Sequence, residues 1–468
     1  MKRQLISRIF VSGILFVLLI LAVIYVAKTN EISLFMTGDK NSNKNDIVQL
    51  DEGFLSTNPI DEILKFSTAE FIGGYPIDDS FLLYIANNYG EDILNQIVAN
   101  AQFKNPQEWY DLTGKSIHVL WHDYCKLTGI RYYALDNTYA IEPNGEDFIM
   151  DFTGDITFAD EVGTTVYMDS QINGLQDCIK PEVINELKSA DITMVNNEFA
   201  YTTRGEAIPG KAYTLRAPSG RAELLFELGA DIAGLANNHV FDFGEEGLLD
   251  TLSTLDELGM PHVGAGYNLE DASRPVYYIV NGRKIAVVAA TQIERTYNYT
   301  REATAEQSGV LKTLHDEYFC GVIKNAKACS DLVIVFIHWG TEGNSNYGTD
   351  QSALARDFIE AGADAIVGGH THCLQAVEYM DDVPIYYSLG NFFFTPTMNV
   401  PEHYDTGIAQ LRISSDNEIK AYFIPCSFDN GVLSLVEDKD EKARILGQLW
   451  RLSIAANVDT ITGYVFKK

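Results

Sequence analysis

Five apolar runs in this chain end in residues that bind metals. Phe148-Ile149-Met150-Asp151-Phe152 leads to Asp155, and Ile192-Thr193-Met194-Val195 leads to Asn196-Asn197-Glu198. Ile232-Ala233-Gly234-Leu235-Ala236 leads to Asn237-Asn238-His239. Leu332–Ile337 leads to His338, and Ala365–Gly369 leads to His370-Thr371-His372. Four of the nine histidines occupy these tips. One aspartate after a strand is most often a turn or cap, and one strand-end histidine is most often structural. Five tips carrying Asp, Glu, Asn, His and His-x-His together point to a metal site. Mixed nitrogen and oxygen donors suit divalent Mn, Fe or Zn. Alternate residues of an extended segment project the same way, so His370 and His372 are expected to face one side.

The elements that must position these tips follow from the same pattern. From about residue 147, strand-like runs alternate with amphipathic helices and Gly turns, which implies α/β architecture. In such sheets ligands gather at the carboxyl ends of strands. One internal echo supports this. Glu227-Leu228-Gly229-Ala230-Asp231 leads into one buried strand, and Glu360-Ala361-Gly362-Ala363-Asp364 leads into another. Leu248, Leu252 and Leu255 make a helical stripe that Gly259 should end. Ile445, Leu449 and Leu452 mark a last helix, with the Glu437–Lys442 charge run as its solvated start.

The N-terminal part differs. Lys2, Arg3 and Arg8 precede an uncharged run from Ile9 to Ala27. Nineteen residues at ~1.5 Å rise reach about 28 Å, enough to cross a bilayer. The run ends Tyr25-Val26-Ala27-Lys28, a poor cleavage site, so it reads as an uncleaved anchor over residues 1–28 rather than a signal peptide. The basic flank places the N-terminus inside and the remainder outside. Residues 29–53 read as a polar stalk. Residues 54–140 read as a small helical module, from Asn58-Pro59, Asn105-Pro106 and the spacing of Phe81, Leu82, Ile85, Ile93, Ile97 and Val98. The net charge of −31, with 65 acids against 34 bases, excludes nucleic acid as the main partner. The six cysteines show no CxxC spacing and imply no disulfide framework.

Gly154-Asp155, Asn197-Glu198, Leu235–His239 with Asp242-Phe243-Gly244, His338-Trp339-Gly340, Gly369–His372 and Tyr387–Phe392 together resemble the CapA-type capsule (poly-γ-glutamate) synthesis family. That family is similar to calcineurin-like metallophosphoesterases. The resemblance implies an α-β-β-α sandwich over residues 146–428, with residues 429–468 a terminal helix and tail. It also implies two divalent metal ions. Asp155 and His372 would bind one, Asn238, His338 and His370 the other, and Glu198 would bridge them. His239 would be the general acid, oriented by Asp242; the plainer reading of His239 is a structural histidine bonded to Asp242. Where the phosphoesterases carry Asp-x-His, this chain reads Asp155-Ile156-Thr157, which leaves the first ion three protein ligands.

Lys211 and Arg216, between the second and third tips, and Tyr347, after His338, are weak candidates for contacting an anionic substrate. The resemblance implies a membrane-anchored extracytoplasmic hydrolase or transferase acting on an anionic cell-envelope polymer. A general phosphoesterase and a non-catalytic accessory of a capsule synthase are the alternatives. The acidic surface would repel polyglutamate, so any attraction must be local.

Overall fold

The computed structural model describes residues 79–99, 112–115, 120, 124 and 137–468, except 142, 144, 281–282, 294–298, 315 and 396–402. The anchor and stalk expected over residues 1–53 lie outside the described residues. Among the described residues no helix is long and apolar enough to cross a membrane. In the N-terminal stretch, helices Asp79–Tyr89 and Glu91–Ala99 form where the apolar spacing predicts them, with Gly90 at φ +99° between. Phe81, Leu82 and Ile85 are buried.

Two sheets pack face to face. Among the described residues the larger has ten strands; at its centre Phe148–Ile156, Ile192–Asn197 and Ile232–Gly234 run parallel. The smaller has seven; at its centre Arg283–Thr291, Leu332–His338 and Ala365–Gly369 run parallel. Alternation assigns each strand's two faces. Ile334 and Phe336 point inward to a core shared with Phe148, Met150, Phe152 and Met194 of the other sheet. Val333, Val335 and Ile337 point outward, against helices Asp316–Ala328 and Thr349–Ala361. The outer face of the ten-stranded sheet is covered by Pro181–Ser189, Leu224–Leu228 and Gly244–Leu258. Burying each such aliphatic or aromatic side chain contributes about 1.5–3 kcal/mol. The layers are therefore helix, sheet, sheet, helix.

The sheets extend beyond the limits read from sequence. Thr138–Ile141 pairs with Val276–Val280, so residues 138–141 belong to the seven-stranded sheet and not to a helical module. Past residue 428, Val432–Leu435 and Tyr464–Lys467 both pair with Ile419–Asp429. Ala456–Val458 pairs with Tyr464–Lys467. The C-terminal segment is thus part of the ten-stranded sheet, not only a helix and tail. Short strands with little apolar alternation left no pattern to read. Helix Lys439–Leu452 does form, capped by Asp438 over its acidic first turn.

Register is set at the strand starts by one repeated device. Asp191, Asp231, Asp331 and Asp364 each stand just before a parallel strand. Each donates its backbone N–H to a carbonyl of the neighbouring strand, at Ile149, Thr193, Lys284 and Val333, over 2.7 to 2.9 Å. Each then accepts, on Oδ2, the N–H of that same residue at 2.7 to 2.8 Å. The carboxylate so acts as one more ladder residue and blocks a one-residue slip. The internal echo is real in space. Gly229 and Gly362 both end a helix in left-handed conformation, and a Cβ at either would meet a lysine Cγ, of Lys188 or Lys327, below 3 Å.

Burial pushes the Asp231 carboxyl up to about 6, against the hydrogen bond from Thr193. A raised carboxyl binds its proton more tightly in the folded state. Its contribution to stability is complete below about pH 4 and is lost as pH rises through 6. Asp231→Asn removes this dependence. Urea titrations at pH 4.5 and 7 should show the stability difference between wild type and variant moving toward the variant by on the order of 2 kcal/mol. Asp364→Ala, which deletes a staple outright, should lower stability by about 1–2 kcal/mol at pH 7, read as a lower urea midpoint.

Candidate metal centre

The ten-stranded sheet delivers oxygen and amide donors. Asp155 is the penultimate residue of Phe148–Ile156, and Glu198 follows Asn197 at the end of its strand. Asn238 and His239 lie in the turn after Ile232–Gly234. Asn237 shapes that turn: its Oδ1 accepts the N–H of His239 at 3.0 Å and of Val240 at 3.1 Å. Its Nδ2 donates to the Asn197 carbonyl at 2.9 Å, which ties the turn to the Glu198 strand.

The seven-stranded sheet delivers imidazoles. His338 is the last residue of its strand, in register with Thr291 and Gly369. His370 and His372 do approach each other, with ring centroids 6.0 Å apart, but not as an extended pair. Both have left-handed backbones, at φ +91° and +57°. Such conformations cost about 1–3 kcal/mol each outside glycine and concentrate at functional sites. The turn lets the His370 N–H donate to Asp155 Oδ2 at 3.2 Å, joining the two sheets.

Two donor groups result. Glu198, His338 and His370 form one, and Asp155, Glu198 and His372 the other; within each, one donor atom per residue lies within 4.8 Å of the rest. Glu198 belongs to both. Its Oε1 is 3.4 Å from His338 Nε2. Asn238 Oδ1 lies 2.8 Å from that same Nε2, and His370 Nδ1 lies 3.1 Å from it. Glu198 is fully buried, and neither of its oxygens has a hydrogen-bond partner among the described residues. A buried carboxylate left in that state costs several kcal/mol. Cations on either side would satisfy both oxygens, so the donor set fits two divalent ions.

Burial, with the charges of His338 and His372 beside it, holds His370 well below the usual imidazole range, in the neutral form a metal needs. His372 goes the other way. Burial opposes its charge, but the hydrogen bond to Asp155 and the charges of Glu198 and Asp155 push it up to about 10. For Asp155, burial is outweighed by the His372 hydrogen bond and the charge of His338, and its carboxyl is lowered. A metal ion there would displace the His372 proton.

His239 Nδ1 is 2.7 Å from Asp242 Oδ2, and its Nε2 is 4.0 Å from Glu198 Oε1. The imidazole is thus held by Asp242 with its other nitrogen toward the centre. Asp242 also accepts the Leu215 N–H at 2.6 Å and meets Lys211 Nζ at 2.8 Å. Lys211 also donates to the Asn238 carbonyl, as does Thr300 Oγ1 at 2.8 Å. The sequence suggested Lys211 for substrate; its side chain is nearly buried and braces Asp242 and Asn238. Arg216 stacks on Phe243 at 4.4 Å. Tyr347 lies flat on Tyr387 at 3.9 Å, and Glu378 accepts its hydroxyl. Neither is brought to the donor groups. Thr157 Oγ1 accepts the Ala159 N–H at 3.1 Å, so it caps a turn and supplies no ligand.

Three residues given no role from sequence now have one. Asn196 Nδ2 donates to Asp155 Oδ1 at 2.7 Å and lies 3.3 Å from His338 Nδ1. Asn391 Oδ1 is 2.7 Å from His372 Nδ1. Gly369 leaves space for Asp155, since a Cβ there would sit 2.8 Å from Asp155 Oδ1. Asn196 and Gly369 lie at the strand tips and Asn391 in the Tyr387–Phe392 motif, which was the available signal. A further group, His403, Asp405 and Glu441, is largely exposed, and Arg444 already pairs with both its carboxylates.

Gly369→Ala should displace Asp155 while the strand and core remain. Mass spectrometry of the purified chain should show metal content reduced by half or more, with an unchanged circular dichroism spectrum.

Residues 150–396 match the family described as bacterial capsule synthesis protein PGA_cap. The capsule biosynthesis protein CapA of Bacillus anthracis is 32% identical over 257 residues, covering 54% of this chain and 60% of that protein. The PGA biosynthesis protein CapA of Bacillus subtilis (strain 168) is 36% identical over 185 residues, covering 39% and 48%. A probable polyglutamine synthesis accessory protein of Mycobacterium tuberculosis (strain CDC 1551 / Oshkosh) is 28% identical over 214 residues, covering 44% and 56%. The chain thus spans between 48% and 60% of the length of these relatives. Among solved structures, the 5′-nucleotidase from Candida albicans SC5314 is similar over 61% of this chain and 53% of that one, at 12% identity and a TM-score of 0.34. With more than half of its 468 residues matched in one continuous span, this chain belongs to the PGA_cap family of bacterial capsule synthesis proteins.

Proposed function

We propose that this chain is a membrane-anchored, metal-dependent hydrolase or transferase that acts on the capsule polymer, by kinship poly-γ-glutamate, outside the cytoplasm. The observation that carries this reading is the buried Glu198 carboxylate shared by two donor groups. Asp155, His372 and Glu198 would hold one ion, and Asn238, His338, His370 and Glu198 the other. Bound ions would supply Lewis acidity and a coordinated water of lowered pKa. His239, steered by Asp242, would give a proton to the leaving atom from Nε2. The Asp242 carboxylate would stabilise the charged imidazole, and Lys211 would keep Asp242 in place. The apolar run Ile9–Ala27 behind Lys2, Arg3 and Arg8 supports the anchor and its orientation.

A second reading has one observation in its favour. The Mycobacterium tuberculosis relative is named an accessory protein of polymer synthesis. In that case the same centre would bind polymer for a synthase without cleaving it.

The deciding experiment measures metal in the full chain, extracted in detergent and reconstituted with Mn, Fe or Zn. About two ions per chain are expected for wild type, and Glu198→Gln should lose at least one. A wild-type chain that retains no transition metal would sink the enzyme reading. His239→Ala should keep the metal and lose about 10²–10⁴-fold in turnover of bis-p-nitrophenyl phosphate or of poly-γ-glutamate. Full metal with polymer binding but no bond cleaved or transferred would leave the accessory reading.

A further inference from the structure

Asn196 is fully buried and touches one residue from each donor group, Asp155 and His338. The direction of its amide follows from its neighbours. Asn237 accepts two backbone N–H groups, from His239 and Val240, on one side-chain atom, so that atom is its oxygen. The other end of the Asn237 amide is then Nδ2, which donates to Asn196 Oδ1 at 3.2 Å. Asn196 is thereby turned with its oxygen on Asn237 and its nitrogen on Asp155 Oδ1, at 2.7 Å. An amide nitrogen is a donor only, so Asn196 does not replace the imidazole that Thr157 leaves missing.

This contact divides the Asp155 carboxylate. The His370 N–H reaches both oxygens, at 3.4 and 3.2 Å, and does not choose between them. Asn196 does choose, because it takes Oδ1 and leaves Oδ2, which lies 3.4 Å from His372 Nδ1. The first ion would then meet Asp155 Oδ2, Glu198 and His372, three donors against four for the second. His372 is also the most open of the six residues, with 24% of its side chain exposed, whereas the other five are buried. Fewer donors and contact with solvent make the first ion the exchangeable one.

We propose that Asn196 is a positioning residue for the first ion: it commits Asp155 to bind through Oδ2 and so sets how tightly that ion is held. This rests on the reading of the site as a two-ion centre. Asn196 acts through Asp155. Without its N–H, Asp155 Oδ1 loses its short donor in a buried site, and the carboxylate is free to turn. The contact of Asn196 with His338 is longer, at 3.3 Å. His338 is held besides by its strand and lies 2.8 Å from Asn238 Oδ1. The second ion should therefore feel the same loss far less.

The test titrates the full chain, stripped of metal in detergent, with Mn²⁺, and follows free Mn²⁺ by electron paramagnetic resonance. Wild type should bind two ions in steps about tenfold or more apart. Asn196→Ala should weaken the looser step by about 10–100-fold and leave the tighter step near its wild-type value. Should the alanine variant fold poorly, Asn196→Ser, whose hydroxyl is too short to reach Asp155, should give the same pattern. A folded variant that keeps the looser step, or that weakens both steps alike, would overturn the positioning role. Two wild-type steps of equal affinity would overturn it as well, whatever the variants do. A wild-type chain that binds no Mn²⁺ would overturn the two-ion reading itself, and the positioning role with it.

Discussion

The rest of the site is organised around one carboxylate. Glu198 is taken out of water between two sheets and, among the described residues, given no hydrogen-bond donor. A charge in that position is tolerated only if something positive is meant to sit beside it. The surrounding geometry follows from that constraint. Asn196 steers Asp155 toward the same space, and Asn237 bends the chain so that Asn238 reaches His338. His370 and His372 accept left-handed backbones to bring their rings within reach. Each of these costs free energy in isolation. Together they place donors of two kinds around one buried anion.

The opposite edge of the sheets explains how such a site can be precise. Four aspartates at the strand starts fix the parallel register, each by two hydrogen bonds to one residue of its neighbour. A slip of one position would turn Asp155 or His338 to the wrong face. The staples and the ligands thus lie at the two ends of the same strands. The helices between them end in left-handed glycines under a lysine stem, twice over in the same arrangement. The scaffold repeats one unit, and only the tips differ.

Much of this was legible in the sequence. The alternation of apolar runs and Gly-ended helices gave the layers, and the five tips gave the donors. The echo of Gly229-Ala230-Asp231 in Gly362-Ala363-Asp364 was visible too, although its meaning was not. A strand-start aspartate looks like a turn until its partner's N–H is seen. The contacts of Lys211, Arg216 and Tyr347 could not be read for a related reason. Residue type says what a side chain can bind, and the neighbours that already occupy it are distant in the chain. Thr138–Ile141 and Tyr464–Lys467 were missed because strands of four residues carry too little apolar alternation to be read. The His-x-His pair was rightly placed together, but spacing alone could not tell a strand from a left-handed turn.

The donors are sorted by sheet, and therefore by time. Every candidate oxygen or amide donor, from Asp155 to Asn238, precedes residue 239, and every candidate imidazole donor, from His338 to His372, follows it by about a hundred residues or more. A nascent chain thus presents its oxygens long before its nitrogens. Oxygen donors alone favour hard ions such as Mg²⁺ or Ca²⁺ and hold them loosely. A preference for a transition metal would arise only when the imidazoles of the second sheet join them. An ion occupying the centre would then be one available where folding finishes.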